Sequence, residues 1–286
     1  MIFDLRKLEK TDKLGFLFYI CYDGTKFHSF DEMPGKTTIK STFKEIMNEL
    51  EFTWAKGIQQ AGRTDSKVSA NENILYVSSK YFGELEKLKK DFNKLSKNLK
   101  VKKIVKTFPN LVFPDMVEQR AYIYSYPQKK IKCSNSEIIN KCIECSGTYD
   151  VSRFTNNKGQ ELKEHNRTVN VTFENGKLHF VGNSFMPKQV RIMSGYLLTG
   201  ALEPLEGKYL ILDKIYLNSK LENMYITDNK ELDISTIKNL VYAEKLGENI
   251  NIFYVMEDKK SEFIGKNAVN IKKLKKIYGE IVVREV

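Results

Sequence analysis

The sequence predicts an α+β protein in which two similar halves share a mixed, mostly antiparallel sheet. Apolar runs of strand length alternate with stretches of helical periodicity, which is typical of helices packed on a sheet. The same order of elements occurs twice, in residues 1–110 and in residues 111–218, so we expect a duplicated fold with a cleft between the halves. A smaller α/β pattern follows in residues 219–286, which we predict to be a linker and a separate module.

The first half begins with an apolar, aromatic run, LGFLFYICY over residues 14–22, that ends at the turn Asp23-Gly24 and predicts a central strand. Thr37 and Thr38 offer a cap for a helix whose apolar residues recur at helical spacing as far as residue 50. Further strands are predicted over 73–79 and 101–107, and an amphipathic helix with lysines on its outer face over 85–95.

The second half repeats this order. Residues 120–126 alternate strictly and place Tyr122, Tyr124 and Tyr126 on one face of a predicted strand. A helix over 136–146 precedes strands over 169–173 and 178–181, which are joined around Asn175-Gly176, a tight-hairpin signal. A helix over about 188–198 and a strand over 209–216 complete the half.

The third stretch starts with polar residues 217–231, which predict a linker. Asp233 then caps a predicted helix with an apolar face made of Ile237, Leu240, Val241 and Leu246. A strand over 251–256, a helix that follows residues 264–268 and a strand over 281–283 complete the chain.

Composition favours a polyanionic partner. The 286 residues hold 47 Lys+Arg against 36 Asp+Glu, a net charge of +11. Residues 87–106 alone contain nine lysines and one acid, so nucleic acid is the expected partner, although lysine-rich surfaces also occur without it. There is no apolar run of membrane-spanning length and no secretory leader, so we expect a cytoplasmic protein with no membrane contact.

Cysteines and histidines give no metal site. The four cysteines are too few for a disulfide scaffold in a chain of this length. Cys142 and Cys145 have the spacing of half a zinc site, but no second pair exists, so an inward-facing helix position is the favoured interpretation. The three histidines form no cluster, and we expect neither a metal nor a cofactor.

One candidate nucleophile stands at a predicted strand-to-loop corner, Ala61-Gly62-Arg63-Thr64-Asp65. Considered alone, this stretch is a turn with a solvated Arg–Asp pair. A glycosidase role for Asp65 is disfavoured because such sites need a second facing carboxylate, and none stands out.

Other motifs accompany this corner in a fixed order: residues 22–27 (YDGTKF), Arg120-Ala121-Tyr122, residues 183–185 (NSF) and residues 189–191 (QVR). In order and spacing they resemble the TruA family of tRNA pseudouridine synthases, over roughly residues 14–200. The resemblance implies an isomerase that converts uridine in structured RNA to pseudouridine, with tRNA as the expected RNA and no cofactor. It also implies the homodimer that is common in the family.

The same resemblance implies roles for individual residues. Asp65 would be the nucleophile, Tyr122 would stack on the target base and serve proton transfer, and Arg191 would pair with Asp65. A nearby guanidinium favours the charged form of a carboxylate in a dry pocket, so Arg191 should lie within ion-pair distance of Asp65. Contacts to RNA are expected from these residues: Arg63, Asp23, Lys67, Arg120 and Lys188.

Departures from the family pattern cluster around the expected RNA path. After Asp65 the family usually has Ala-Gly-Val-His-Ala, and this chain has SKVSA at residues 66–70. It also has Ser29-Phe30-Asp31 in place of Gly-Trp-Gln, and FPDM at 113–116 in place of Phe-His-Ala-Arg. An active enzyme with a different RNA target fits this pattern, and the alternative is a catalytically inactive RNA-binding protein on the same fold.

The tail resembles a KH RNA-binding module, with residues 264–268 (IGKNA) in place of Ile-Gly-x-x-Gly. We expect Lys266, Lys272 and Lys273 to contact RNA phosphates. The alternative is a glycine-ended helix followed by a solvated basic helix.

Overall fold

A computed structural model describes residues 5–54, 57–156, 159 and 161–286. Its strands form one mixed sheet in the order β13-β12-β11-β10-β4-β1-β3-β9-β5-β8-β7-β6, with the short β2 beside β3. Two strand pairs are parallel, β3 with β9 and β12 with β13, and the other pairs are antiparallel. The α+β class with a mixed, mostly antiparallel sheet is therefore confirmed.

The first half consists of helices α1 (Leu5–Lys10), α2 (Ile39–Glu49) and α3 (Leu85–Leu95) and of strands β1 (Leu14–Tyr22), β2 (Gln59–Gln60), β3 (Ser69–Ser79) and β4 (Leu99–Thr107). Strand β1 is central, between β3 and β4. Helix α2 begins with a capping box at Thr38, as the sequence predicts. Phe18 of β1 packs edge-on against Phe43 of α2, with ring centroids 5.2 Å apart.

The second half repeats this topology with strands β5 (Val117–Tyr124), β6 (Gly147–Asp150), β7 (Asn166–Glu174), β8 (Lys177–Gly182) and β9 (Leu210–Leu217) and helices α4 (Asn135–Glu144) and α5 (Gln189–Thr199). Strand β5 is central, between β8 and β9. The hairpin from β7 to β8 turns at Asn175 and Gly176, both with positive φ, as the sequence predicts. The two halves meet where β3 and β9 run parallel.

The tail contributes α6 (Ser219–Glu222), β10 (Tyr225–Asp228), β11 (Leu240–Leu246), β12 (Ile250–Val255), α7 (Lys260–Ile264), α8 (Val269–Tyr278) and β13 (Glu280–Glu285). The stretch predicted as a linker holds β10, whose pairing with β4 continues the sheet into the tail. A buried ion pair crosses this junction, since Lys106 Nζ of β4 lies 2.6 Å from Glu244 Oε1 of β11. The Tyr254 hydroxyl of β12 donates to the same carboxylate at 2.6 Å.

The prediction of a helix after Asp233 is wrong. Asp233 does accept a hydrogen bond from the Ser235 N–H, but only one turn of 3₁₀ helix follows, at Ile234–Thr236. Residues 240–246 instead form β11 because pairing with both β10 and β12 satisfies their backbone groups. The predicted strands near 251–256 and 281–283 and the helix between them are present as β12, β13 and α8.

The tail helices lie on the opposite face of the sheet from α2 and α3. Cross-strand pairing places Phe16, Lys106 and Ile226 on one face, and this face continues to Tyr254 of β12. Phe253, next along β12, therefore points to the other face and packs against Phe263 of α7, with ring centroids 6.2 Å apart. Among the described residues, no helix is long and apolar enough to cross a membrane.

Candidate active site

A pocket lies at the junction of the two halves, beside the parallel pair β3–β9. The first half contributes the loop that precedes β3, and the second half contributes β5, the start of β9 and the loop that leads into α5. The lining residues are Arg63, Thr64, Asp65 and Val68 from the first half and Tyr122, residues 185–191 and Leu210 from the second. The corner at residues 62–65 (GRTD), β5 and α5 therefore meet in one cleft.

Asp65 and Arg191 form the predicted ion pair. Arg191 Nη1 lies 3.1 Å from Asp65 Oδ2, although 126 positions separate the two residues. Arg191 also donates from Nε to the carbonyl oxygen of Leu205 at 2.6 Å, which fixes the guanidinium independently of the carboxylate. The side chains are 17% exposed for Arg191 and 36% exposed for Asp65, so the carboxylate is held but remains open to the pocket.

Tyr122 is buried in the wall of this pocket. Its ring packs edge-on against Phe185, with centroids 5.3 Å apart. The pKa of Tyr122 is raised to about 12, chiefly by burial; the positive charge of Arg120 opposes this rise, and the negative charge of Asp65 contributes to it. The phenol therefore stays protonated at neutral pH. Tyr124 and Tyr126 share this face of β5 but pack against Tyr209, as alternating aromatic residues on a sheet face commonly pack against one another.

Two glycines explain why the segment after Asp65 can lie so close to its neighbours. A Cβ on Gly24 would meet the carbonyl oxygen of Val68 at 1.9 Å, and one on Gly207 would meet that of Ser66 at 2.5 Å. The motif YDGTKF is thus in direct backbone contact with the segment that follows Asp65. The Val68 N–H donates to the Asp65 carbonyl oxygen at 3.1 Å and closes the turn that follows the carboxylate.

The residues predicted to bind RNA fall into different environments. Arg63 and Lys188 are exposed at the rim of the pocket, and Lys67 is exposed in the turn after Asp65. Arg63 is 3.6 Å from Asp31 of the segment that departs from the family pattern. Asp23 caps a one-turn 3₁₀ helix and accepts from Thr25 N–H at 3.0 Å.

The Arg120 side chain binds backbone carbonyl groups of the protein itself. It donates from Nε to the Ala61 carbonyl oxygen at 2.9 Å and from Nη1 to the Asn183 carbonyl oxygen at 2.5 Å. Burial lowers the pKa of its guanidinium.

The tail lysines predicted to bind RNA lie outside the pocket that holds Asp65. Lys266 lies in a one-turn 3₁₀ helix after Gly265, and Lys272 and Lys273 are exposed on α8. Lys273 lines a separate groove beside α7 and α8, on the other face of the sheet from α2 and α3.

The sequence predicts no individual role for Asn73 or Phe185, and the structure places both at the site. Asn73 is fully buried and contacts the backbone of Gly62. A polar residue at the head of the apolar run ILYV was the available signal, because a buried amide needs hydrogen-bond partners. Phe185 stood inside a recognised motif, and only the fold shows that its ring meets Tyr122.

Metal-binding side chains do not cluster in the part of the chain that the structure describes, where no group of three His, Cys, Asp or Glu could hold an ion. Cys142 and Cys145 are buried thiols, and burial raises the pKa of Cys142 to about 11. Their burial favours the packing interpretation.

Fold and pocket together define a class: an α+β protein in which one carboxylate, its arginine and a tyrosine meet between two similar sheet halves. No family model matches the chain. Curated relatives are similar to it over about two thirds of its length, and they carry the name of the family that the motifs resemble.

A "tRNA pseudouridine synthase A" from Picrophilus torridus is 28% identical over 195 residues, covering 66% of this chain and 72% of that protein. The protein of the same name from Limosilactobacillus reuteri is 28% identical over 201 residues, covering 62% and 78%. That from Borrelia duttonii is 29% identical over 203 residues, covering 63% and 80%.

Two solved structures are also similar. A chain in "Crystal Structure of a Cbf5-Nop10-Gar1 Complex" gives a TM-score of 0.34 at 13% identity, covering 69% of this chain and 49% of that chain. A chain in "Structure of H/ACA RNP bound to a substrate RNA containing 2'-deoxyuridine" gives 0.33 at 13% identity, covering 71% and 51%. This chain thus spans about half the length of each, and neither superposition is close enough to match individual residues.

Proposed function

We propose that this protein is an RNA pseudouridine synthase that acts on structured RNA, with tRNA as the substrate class, and that Asp65 is its nucleophile. The observation that carries the proposal is the ion pair between Asp65 and Arg191 inside a pocket that both halves build. The names of the curated relatives and the motif order support the same activity.

The reaction is an isomerisation, so atoms balance within one nucleotide. The N1–C1′ bond of uridine breaks, the base turns, and a C5–C1′ bond forms while the proton on C5 is lost and N1 gains one. Asp65 attacks the nucleotide and is later released, which divides one difficult step into two. Arg191 holds the carboxylate in a fixed direction, because its guanidinium is anchored to the Leu205 carbonyl as well.

The target base must leave its stack to reach Asp65, because the reacting atoms are hidden inside a stacked RNA. Unstacking costs a few kcal/mol, and stacking on an aromatic ring returns about 1–3 kcal/mol per base. Tyr122 and Phe185 supply rings in the pocket wall. Arg63, exposed at the rim, would help push the base out of its stack or hold the space that it leaves.

The tail supports a second RNA contact of the KH kind. The two short helices α7 and α8 flank residues 265–268, as two helices flank the Gly-x-x-Gly loop. Gly265 has φ of 77° and Ala268 has φ of 60°, so both positions where that motif has glycine have a positive φ, and Ala268 is in the left-handed conformation. Ala268 bears the cost of that conformation itself.

By resemblance to the TruA family, we also propose a homodimer. We propose a cytoplasmic location, where tRNA is available as a substrate.

The test is to map pseudouridine in the RNA of cells that carry either the wild-type protein or Asp65→Ala. We expect specific pseudouridines to disappear in the variant, with RNA binding retained. Asp91→Ala is the matched control, because it removes a carboxylate paired with Lys94 on α3, outside the pocket. Identical maps for wild type and Asp65→Ala, with RNA binding intact, would leave the inactive RNA-binding alternative in place of the enzyme.

A further inference from the structure

The backbone before Asp65 is clamped by one buried amide. Asn73 Oδ1 accepts from the Gly62 N–H at 3.2 Å, and Asn73 Nδ2 donates to the Gly62 carbonyl oxygen at 2.8 Å. The amide therefore pairs with both backbone groups of one residue, as a neighbouring strand would. Asn73 is itself fixed by the Ile74 N–H, which donates to Oδ1 at 2.8 Å.

The loop that ends in Asp65 is also held at Thr64, through the Tyr22 hydroxyl. Asn73 Nδ2 also contacts the Tyr22 hydroxyl at 3.3 Å, and that hydroxyl lies 2.9 Å from Thr64 Oγ1. Thr64 is the residue directly before the carboxylate. Gly62 and Thr64 are thus both tied to the interior, which leaves Arg63 between them free to face outward.

Arg120 ties this loop to the opposite wall of the pocket. Its Nε donates to the carbonyl oxygen of Ala61, in the first half, and its Nη1 donates to that of Asn183, in the second half. Asn183 begins the segment that carries Phe185 to its place against Tyr122. One guanidinium therefore sets the distance between the loop that carries the carboxylate and the segment that carries the pocket wall.

We propose that Arg120, supported by Asn73, is a positioning residue for the nucleophile and not an RNA contact. The proposal rests on the proposed function. Neither side chain lines the pocket, and each acts through backbone groups of the loop that ends in Asp65. Arg120 differs in this from Arg63, whose side chain is 69% exposed at the protein surface, beside Asp31.

The chemistry of arginine explains why this position needs more than a positive charge. A guanidinium is a planar fork that can satisfy two carbonyl oxygens in fixed directions, whereas an ammonium on a flexible stem is a point charge. Arg120→Lys keeps the charge that RNA would recognise and removes the fork. A displacement of about 1 Å at a reacting group can cost about 100-fold in rate.

The chain offers a matched control in Arg284 of β13. Arg284 is also an arginine that donates to two backbone carbonyl oxygens, those of Leu8 at 3.1 Å and Lys13 at 3.3 Å. Burial lowers its pKa as it does that of Arg120. It is 3% exposed, so Arg284→Lys should disturb the fold at least as much as Arg120→Lys does.

The experiment measures single-turnover conversion and the equilibrium Kd for a tRNA transcript with the wild type, Arg120→Lys and Arg284→Lys. Tritium released from C5 of labelled uridine reports conversion, and thermal unfolding gives the folded fraction. We expect Arg120→Lys to lower the rate per folded molecule by 10- to 100-fold, with Kd changed less than about twofold. Arg284→Lys should lower Tm and leave the rate per folded molecule unchanged.

Three results would overturn the positioning role while leaving the proposed function intact. These are a wild-type rate in Arg120→Lys, equal rate losses in both variants, and a weaker Kd with an unchanged rate. An inactive wild type on transcripts whose pseudouridines depend on the protein in cells would instead contradict the proposed function, and this inference with it.

Discussion

Replacing Tyr122 with phenylalanine separates the two roles that the pocket gives this residue. The ring would remain, with its edge-on packing against Phe185 at 5.3 Å, and the hydroxyl would be lost. Stacking on the target base, about 1–3 kcal/mol, belongs to the ring. Proton transfer by a positioned group contributes about 10²–10⁴-fold in rate and belongs to the hydroxyl. Tyr122→Phe should therefore bind RNA as the wild type does and convert it about 10²–10⁴-fold more slowly.

The raised pKa of Tyr122 determines how the rate responds to pH. With a pKa of about 12, only about one phenol in a thousand is ionised at pH 9, so a rate that depends on the protonated phenol should stay constant between pH 7 and 9. Folding raises this pKa above its ordinary value of 10, so its contribution to stability is complete below pH 10 and is lost as the pH rises toward 12. Tyr122→Phe should lose less stability than the wild type over that interval.

The assay is tritium release from C5-labelled RNA under single-turnover conditions, beside a filter-binding Kd. Tyr122→Leu is the control, since it removes ring and hydroxyl together and should weaken binding as well as rate. A Phe variant as fast as the wild type would refute proton transfer by Tyr122. A Phe variant with weakened binding and an unchanged rate would refute the division of roles.

Two further predictions concern the tail. Lys106→Ala should lower the free energy of unfolding in urea by about 3–5 kcal/mol, because it leaves the buried Glu244 carboxylate without its cation. The double variant Lys106→Met, Glu244→Leu should lower it far less. Equal losses in the two variants would contradict a buried ion pair at this junction. Replacing Lys272 and Lys273 with alanine should weaken binding to RNAs of different sequence by a similar factor. It should also reduce the slope of log K against log salt concentration by about 1 per lysine, and an unchanged slope would contradict a phosphate contact there.

The sequence was most informative where pattern and local chemistry agree. Strand β1, the capped helix after Thr38 and the hairpin at Asn175-Gly176 each follow from alternation, a cap or a turn signal that acts within a few residues. Periodicity failed at residues 240–246, where apolar residues fit a helix almost as well as a strand. Pairing with β10 and β12 decided the outcome, and no local signal carries that information.

Some contacts of the candidate site were predictable from the sequence, and others were not. The resemblance brought Asp65 and Arg191 together before any fold was known, and their 3.1 Å contact bears out that geometry. The supporting contacts of Asn73 and Arg120 could not be predicted, because each joins a side chain to the backbone of a distant loop. Placement of the tail also required the fold, since only cross-strand pairing shows that α7 and α8 lie on the sheet face opposite α2 and α3.

The central claim is that the Asp65 carboxylate performs the isomerisation. Its most direct test is single-turnover tritium release from C5-labelled tRNA transcripts by purified wild type, Asp65→Ala and Asp91→Ala at saturating protein. We expect release by the wild type and by Asp91→Ala, and none above background by Asp65→Ala, with all three binding RNA equally. Release by Asp65→Ala at the wild-type rate would contradict it.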